Sequence, residues 1–208
     1  SPDKVRLRLS AYEVEGATVA HEIEAQFDKL RTIIPQYILG YETATIQSVV
    51  HDLLTQRHLT LATAESCTGG AIAARFTALS GASAYFKCGW VAYSVEAKHK
   101  QLGVRIEDVE RYDVVSEEVA RAMAEGARQR AQADYAVATT GIAGPTGGTA
   151  ERPVGTVWMA VAGPCGTTAL CRQSGSDRSQ VIDRASGFAI TLLRDEILRQ
   201  EELRKKKN

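Results

Sequence analysis

Residues 59–70, Leu-Thr-Leu-Ala-Thr-Ala-Glu-Ser-Cys-Thr-Gly-Gly, decide how this chain folds. The apolar, β-branched run at 59–63 is typical of a buried strand, and the polar turn after it leads into an alanine-rich helix predicted over 69–79. Ser66 and Cys67 therefore stand where the first backbone N–H groups of a helix lack intrahelical acceptors. Such groups can hold an anion or a developing oxyanion, so a nucleophile here needs only a base. The alternative is that these side chains merely cap the helix.

Strands and helices alternate along the chain on both sides of this turn. Apolar runs predict strands at 84–93 and 135–140, and Gly-Pro-Cys-Gly joins two further strands, 154–162 and 167–172, into a hairpin. The hairpin makes the sheet mixed, so the fold class is α/β, a three-layer α/β/α sandwich with a mixed sheet. Further helices are predicted to open at four polar positions: Thr45, Ser94, Ser116 and Ser176-Asp177.

The first part of the chain reads as a small strand–helix–strand appendage. Apolar and basic residues alternate at 5–9, a helical period runs from about 18 to 34, and residues 37–39 look like a short strand. A unit of this size cannot bury a core of its own, so we expect it to pack against the rest of the chain or against another copy. The predicted domains are therefore residues 1–42 and 43–208.

Charge and cysteine content exclude several classes of function. Lys plus Arg and Asp plus Glu both total 25, so no net field attracts nucleic acid or an anionic membrane. The four cysteines form no Cys-x-x-Cys pair and no zinc-site spacing, and they suit a reducing compartment. Apolar runs are too short for a bilayer, and no signal-peptide pattern opens the chain. We expect a soluble cytoplasmic protein without a metal or redox cofactor.

Three polar segments follow predicted strands, at residues 64–70, 93–98 and 139–148, and the first and third contain glycines. In open α/β sheets, ligands bind in the crevice outside the carboxyl ends of the strands. Three such loops at one edge of a sheet therefore predict a site there more strongly than any one of them would.

The third segment extends over residues 139–149, Thr-Thr-Gly-Ile-Ala-Gly-Pro-Thr-Gly-Gly-Thr. Its glycines let the backbone approach a phosphate closely, and successive amides can form an anion nest. It lacks the Gly-Lys-Ser/Thr ending of a P-loop, and an ordinary surface loop is an equal alternative. Arg152 and Arg178 are candidate phosphate partners, although each arginine alone is more often solvated or structural.

A base for Ser66 is not obvious from the sequence. Three histidines, at positions 21, 51 and 58, lie away from the glycine loops, and no Ser-His-Asp arrangement is indicated. Lys98 stands one helical turn after Ser94, but a lysine can deprotonate a serine only if its pKa is lowered by several units. On its own Lys98 would be read as a surface lysine. Cys67 is the rival nucleophile and ranks second, because a thiolate also needs a histidine or a strong positive field.

Taken together, these segments resemble the C-terminal domain of the CinA family, the nicotinamide-mononucleotide deamidases, over residues 45–198. Residues 1–40 resemble the small KH-type segment in the middle of longer CinA proteins. The sequence contains no counterpart of their N-terminal nucleotide-pyrophosphatase domain, so that activity is not assigned. The resemblance rests on six motifs: residues 64–70, Tyr93-Ser94 with Ala97-Lys98, Val115-Ser116, residues 140–145 with Gly147-Gly148, residues 153–157, and Gly175 with Asp177-Arg178.

The family implies a Ser–Lys amidohydrolase in which Ser66 is the nucleophile and Lys98 the general base. It would convert nicotinamide mononucleotide to nicotinic acid mononucleotide and ammonia without a cofactor. Lys87-Cys88 and Arg152 stand where we expect other residues, but neither touches the presumed chemistry. The expected substrate-binding residues comprise oxyanion amides near Thr68, Gly69 and Gly70, the orienting residues Tyr93 and Thr140, and a phosphate site of Gly144, Gly147, Gly148, Thr149 and Arg178.

Two other functions are alternatives to this enzyme on the sequence alone. The chain could be a non-catalytic nucleotide-binding or assembly module linked to competence or DNA repair, with Ser66 only a helix cap. RNA binding by the KH-like start is disfavoured, because residues 1–45 contain no Gly-x-x-Gly loop. The expected partners are a small-molecule nucleotide substrate and further copies of the chain, a dimer being favoured, with neither a membrane nor nucleic acid.

Overall fold

The computed structural model describes residues 5, 7–10, 12, 16–34, 38–40 and 44–205. The chain divides into two compact units, Ser1–Thr45 and Ile46–Asn208, whereas the sequence predicted a boundary at 42/43. In the first unit, helix α1 spans Gly16–Ile33, as its apolar period predicted.

The two strands expected around α1 are not formed by the described residues 5, 7–10 and 38–40. Val5 and Leu7 are exposed rather than half-buried. A strand must share its backbone hydrogen bonds with a neighbour, and two short strands alone are at best marginally stable in water. The alternating pattern is therefore insufficient to form a strand at residues 5 and 7–9, and Arg6 and Tyr37 of the two predicted strands lie outside the described residues.

The second unit is a five-stranded mixed sheet between two helical layers, counted over the described residues. Strand β1 is parallel to both β2 and β3, while β3, β4 and β5 are antiparallel in turn, giving the order β2-β1-β3-β4-β5. The predicted α/β sandwich with a mixed sheet is confirmed. The elements are α2 (Ile46–Gln56), β1 (Leu61–Glu65), α3 (Ala71–Thr77), β2 (Phe86–Val91), α4 (Val95–Leu102), α5 (Ile106–Tyr112), α6 (Glu117–Ala131), β3 (Tyr135–Gly141), β4 (Thr156–Gly163), β5 (Gly166–Gln173) and α7 (Arg178–Lys205).

The two faces of the sheet carry side chains of different size. Large residues such as Leu61, Val137 and Met159 pack against α2, α3 and α7. The opposite face consists largely of alanines and packs against α4, α5 and α6. Since successive strand residues alternate between faces, strands β1 to β4 contribute to both cores. The buried alanines of this second face are Ala62, Ala64, Ala136, Ala138, Ala160 and Ala162.

The carboxyl ends of β1, β2 and β3 lie side by side and are tied together by backbone hydrogen bonds. Ser66 N–H donates to Thr139 O at 3.0 Å, and Ala92 N–H donates to Glu65 O at 2.9 Å. The three polar segments predicted to converge leave the sheet at this edge. In the part of the chain that the structure describes, no helix is long and apolar enough to span a membrane.

Candidate active site

Ser66 and Lys98 meet at this edge of the sheet. Lys98 Nζ lies 2.9 Å from Ser66 Oγ, 2.8 Å from Ala92 O and 3.1 Å from Tyr93 O. Lys98 is 0% exposed and Ser66 is 8% exposed. The contact on which the sequence-based mechanism depends is therefore present, and the surface reading of Lys98 is wrong.

The start of α4 directs Lys98 toward the strand ends. Ser94 Oγ accepts the Ala97 N–H at 3.0 Å, which is the helix cap that the sequence predicted. Lys98 N–H donates to Ser94 O at 3.0 Å, so Lys98 belongs to the first hydrogen-bonded turn. Gly103, with φ +77°, ends the helix in a left-handed conformation that suits glycine.

Burial changes the protonation of Lys98. Removal from water lowers the pKa of its amine from 10.5 to about 8, while interaction with the Cys67 thiol opposes the shift. A neutral amine has two N–H donors and one lone pair. Two carbonyl oxygens, of Ala92 and Tyr93, can take the N–H groups, which leaves the lone pair for the Ser66 hydroxyl proton.

Cys67 does not offer a competing thiolate. Its side chain is buried in the core on the α3 side of the sheet. Burial raises the pKa of the thiol to about 12, an effect that the Coulombic influence of Lys98 only partly offsets. Cys67 is therefore a neutral thiol near pH 7, which favours Ser66 as the nucleophile.

Glu65, which the sequence analysis did not assign to the site, caps α3. Its carboxylate is 0% exposed and accepts four hydrogen bonds. Ser66 consequently performs no capping role, and its hydroxyl is left for Lys98. The signal in the sequence was a glutamate at the end of a buried strand. Which groups donate hydrogen bonds to its carboxylate, however, is set only by the folded turn. The four donors are the N–H groups of Gly70 (3.0 Å), Ile72 (3.0 Å) and Ala73 (2.8 Å) and the Thr68 hydroxyl (2.7 Å).

The expected oxyanion donors need one correction. Gly69 N–H donates to Ser66 O at 3.1 Å, and Gly70 N–H donates to the Glu65 carboxylate. Neither amide is available for an oxyanion. The Thr68 N–H, in contrast, has no protein acceptor among the described residues. The same holds for the Cys67 N–H, so the Thr68 amide is a candidate donor from this turn together with that of Cys67.

Arg178 joins two of the other predicted site residues. Its Nη1 donates to Gly144 O at 2.8 Å, and its Nη2 donates to the Tyr93 hydroxyl at 3.1 Å. Because Tyr93 O is also an acceptor for Lys98, Tyr93 contacts both Arg178 and Lys98. Arg178 is the first residue of α7, whose opening amides are capped by Asp177, as predicted.

Other predicted contributors are engaged elsewhere. The Thr140 hydroxyl donates to Val114 O at 2.7 Å, and Thr149 Oγ1 accepts the Arg152 N–H at 3.1 Å. Arg152 itself forms an ion pair with Asp113 at 2.6 Å, so it is not a free phosphate partner.

The tip of the glycine loop also lies apart from the catalytic pair. Gly147, Gly148 and Thr149 are exposed, and none of the hydrogen bonds in the described structure links them to Ser66 or Lys98. Gly147 has φ +90°, which favours glycine, and a Cβ at Gly148 would lie 2.7 Å from Val154 N. Within the described residues, no group of three or more His, Cys, Asp and Glu side chains could hold a metal.

Comparisons with known proteins agree on one family. A family model described as the CinA C-terminal domain matches residues 43–197. A CinA-like protein of Flavobacterium psychrophilum is 44% identical over 200 residues, which are 96% of this chain and 48% of that protein. A putative competence-damage inducible protein of Caldicellulosiruptor saccharolyticus is 39% identical over 197 residues, 95% of this chain and 48% of its own. The chain thus spans about half the length of these relatives.

Solved structures show the same fold. The competence/damage inducible protein CihA from Agrobacterium tumefaciens matches with a TM-score of 0.70 and 38% identity, over 71% of this chain and 91% of that one. The competence damage-inducible protein A from Klebsiella pneumoniae matches with a TM-score of 0.71 and 35% identity, over 74% and 95% respectively.

Proposed function

This chain belongs to the CinA C-terminal domain family, and on that basis we propose that it is a Ser–Lys amidohydrolase acting on nicotinamide mononucleotide. The products would be nicotinic acid mononucleotide and ammonia. The observation that carries the proposal is the 2.9 Å contact between a buried lysine amine and a serine hydroxyl. Lowering of the Lys98 pKa to about 8 supports a role as general base.

In the proposed reaction, neutral Lys98 accepts the Ser66 hydroxyl proton while Ser66 Oγ attacks the carboxamide carbon. The Thr68 N–H donates to the oxyanion of the tetrahedral intermediate. As the C–N bond breaks, the Lys98 ammonium returns the proton to the departing NH₂ group, which leaves as ammonia. Lys98 then deprotonates a water molecule, whose attack on the ester releases the carboxylate and regenerates Ser66.

Arg178 is the proposed anchor for the substrate's phosphate. Its hydrogen-bond partners in the described structure, a carbonyl and a phenol, are neutral and leave its positive charge uncompensated by contact. A guanidinium without an anionic partner can bind an anionic ligand such as a phosphate through strong, charge-assisted hydrogen bonds. The start of α3 is not an alternative anion site, because the Glu65 carboxylate already accepts its amides.

The test is ammonia release from nicotinamide mononucleotide, compared with free nicotinamide. We expect preference for the nucleotide, and a loss of kcat on the order of 10⁴-fold or more in Ser66→Ala and Lys98→Met. Cys67→Ala is the matched control, since it removes a neighbouring nucleophile that is a neutral thiol, and it should retain activity. Wild-type turnover in either dyad variant would disprove the mechanism.

A second outcome would favour a different function. Binding of nicotinamide mononucleotide without ammonia release would support a non-catalytic nucleotide-binding module. The competence-damage names of the relatives are compatible with this alternative. Calorimetric titration of the nucleotide alongside the ammonia assay separates these two outcomes.

A further inference from the structure

We propose that Glu65 is the positioning residue of the oxyanion hole, because its buried carboxylate fixes the Ser66–Gly70 turn and occupies the amides at the start of α3, which leaves the Thr68 N–H, beside that of Cys67, to bind the oxyanion. This inference rests on the proposed amidohydrolase function and deepens it. Glu65 itself contacts neither Ser66 Oγ nor Lys98 Nζ in the hydrogen bonds of the described structure, so it acts through Thr68.

The turn is held from two sides. Glu65 Oε2 accepts the Thr68 hydroxyl at 2.7 Å, and Thr68 Oγ1 also lies 2.7 Å from Thr139 Oγ1. Thr139 contributes again through its carbonyl oxygen, which accepts the Ser66 N–H at 3.0 Å. Both Ser66 and Thr68 are thus anchored to β1 and β3, the rigid central strands. An oxyanion hole depends on such preorganisation, since donors that must reorient during the reaction stabilise the transition state less.

The carboxylate also decides which amides can bind an anion. Oε2 accepts the N–H groups of Gly70 and Ile72, and Oε1 accepts that of Ala73. Without Glu65, these amides at the start of α3 would compete for any anion near the nucleophile. With them satisfied, the unpaired amide donors of the turn in the described structure are the N–H groups of Cys67 and Thr68.

A carboxylate is required because every one of its four partners is a donor. Glutamine has one acceptor oxygen, and its NH₂ group would face an N–H or O–H donor in either orientation. Glu65→Gln is therefore isosteric but leaves at least one buried donor unsatisfied. Removal of a well-placed oxyanion donor costs about 10²- to 10³-fold in kcat. We expect Glu65→Gln, which loosens that donor, to lower kcat by about 10- to 100-fold and to leave KM within about twofold.

Asp134 provides a matched control at the opposite end of the same two strands. Its carboxylate accepts the Thr60 N–H at 2.8 Å and the Thr60 hydroxyl at 2.7 Å, a comparable arrangement far along β1 from the nucleophile. Both donors of Thr60 reach one oxygen, Oδ2, so the control is Asp134→Ala, which removes that acceptor; Asp134→Ala and Glu65→Gln should both lower Tm. At a temperature well below both transitions, only Glu65→Gln should lower kcat for ammonia release.

A fluorophosphonate probe gives a readout that does not depend on the substrate. When Ser66 is labelled, the phosphonyl oxygen of the probe would accept a hydrogen bond from the Thr68 N–H. Glu65→Gln should therefore slow labelling, while the pH dependence of labelling that Lys98 sets stays unchanged. If wild type is labelled rapidly and Glu65→Gln slowly, but neither releases ammonia, the proposed substrate is wrong and this inference stands. Folded Glu65→Gln with wild-type labelling and wild-type kcat would overturn it.

Thr68→Val covers the case in which Glu65→Gln does not fold. It removes the hydroxyl between Glu65 and Thr139 and leaves the three amide bonds of Glu65 in place. Labelling of Ser66 should slow in Thr68→Val and recover in Thr68→Ser, which keeps the hydroxyl. Equal labelling rates in wild type and Thr68→Val would contradict the inference.

Discussion

At the scale of single residues, the chemistry of Lys98 follows from its lack of water. The amine is wholly buried and is hydrogen-bonded to two carbonyl oxygens and one hydroxyl. Burial penalises the charged form more than these contacts stabilise it, so the pKa falls to about 8. A neutral amine is thereby present in a substantial fraction of molecules near neutral pH, which a solvated lysine would not provide.

We expect kcat/KM for ammonia release to rise with pH through about 8 and to level off above it, because only the neutral amine can accept the Ser66 proton. The measurement is a pH–rate profile from about pH 6 to 10, limited by the chemical step. A profile that is flat across this range would show that Lys98 is not the base.

Stability offers an independent check of the same pKa. The folded state binds fewer protons at Lys98 than the unfolded state between about 8 and 10.5, so the free energy of unfolding should rise with pH in this window. The burial penalty is complete below the folded pKa and is relieved above it. Lys98→Met should lack this increment when both proteins are unfolded by denaturant across the window.

At the scale of elements, α4 reaches its position by packing closely on α6. A Cβ on Gly126 would lie 1.8 Å from Leu102 O, so the two helices touch backbone to backbone at this residue. Leu102 is the last residue of α4, the helix that carries Lys98. The glycine thus limits how near Lys98, the proposed general base, can come to the sheet.

Gly126→Ala should therefore destabilise the protein by about 1–3 kcal/mol, the usual range for overpacking. It should also lower kcat, because α4 must move away and take Lys98 with it. Denaturant unfolding and the ammonia assay measure the two effects. Gln129→Ala, an exposed change on the same helix, is the control and should alter neither. Unchanged stability in Gly126→Ala would contradict the close helix contact.

At the scale of the whole molecule, the second unit contains everything that the proposed chemistry uses. Its sheet buries large side chains on one face and alanines on the other. Ser66 and Thr68 follow β1, and α4 carries Lys98 to the same edge of the sheet. The first unit is Ser1–Thr45. Its resemblance to a KH-type segment and the self-association of the chain stay predictions.

A fragment consisting of residues 46–208 should fold cooperatively and retain the ammonia-releasing activity of the full chain, because both cores belong to that unit. Circular dichroism melting and the kinetic assay test this directly. An unfolded fragment, or a folded one without activity, would show that residues 1–45 complete the site or the core.

The sequence by itself determined features that depend on neighbours in the chain. Apolar runs placed β1 and β3, the Gly-Pro-Cys-Gly turn placed the hairpin, and Ser94 and Ser116 cap α4 and α6 as predicted. Helix α5 was missed, since its seven residues, Ile106–Tyr112, bury none completely and show no clear apolar stripe. Ser66 and Lys98 were paired through family resemblance, because their spacing of 32 residues carries no local signal.

Only the tertiary structure decided the state of the site. Three features of the site result from groups that folding brings together. Lys98 is buried, which favours its neutral form; the Gly69 and Gly70 amides are already hydrogen-bonded; and the Glu65 carboxylate caps α3. Local patterns report helix caps and strand faces because those interactions span a few residues. Desolvation and hydrogen-bond satisfaction depend on every group around an atom, and that environment exists only once the strands and helices have packed.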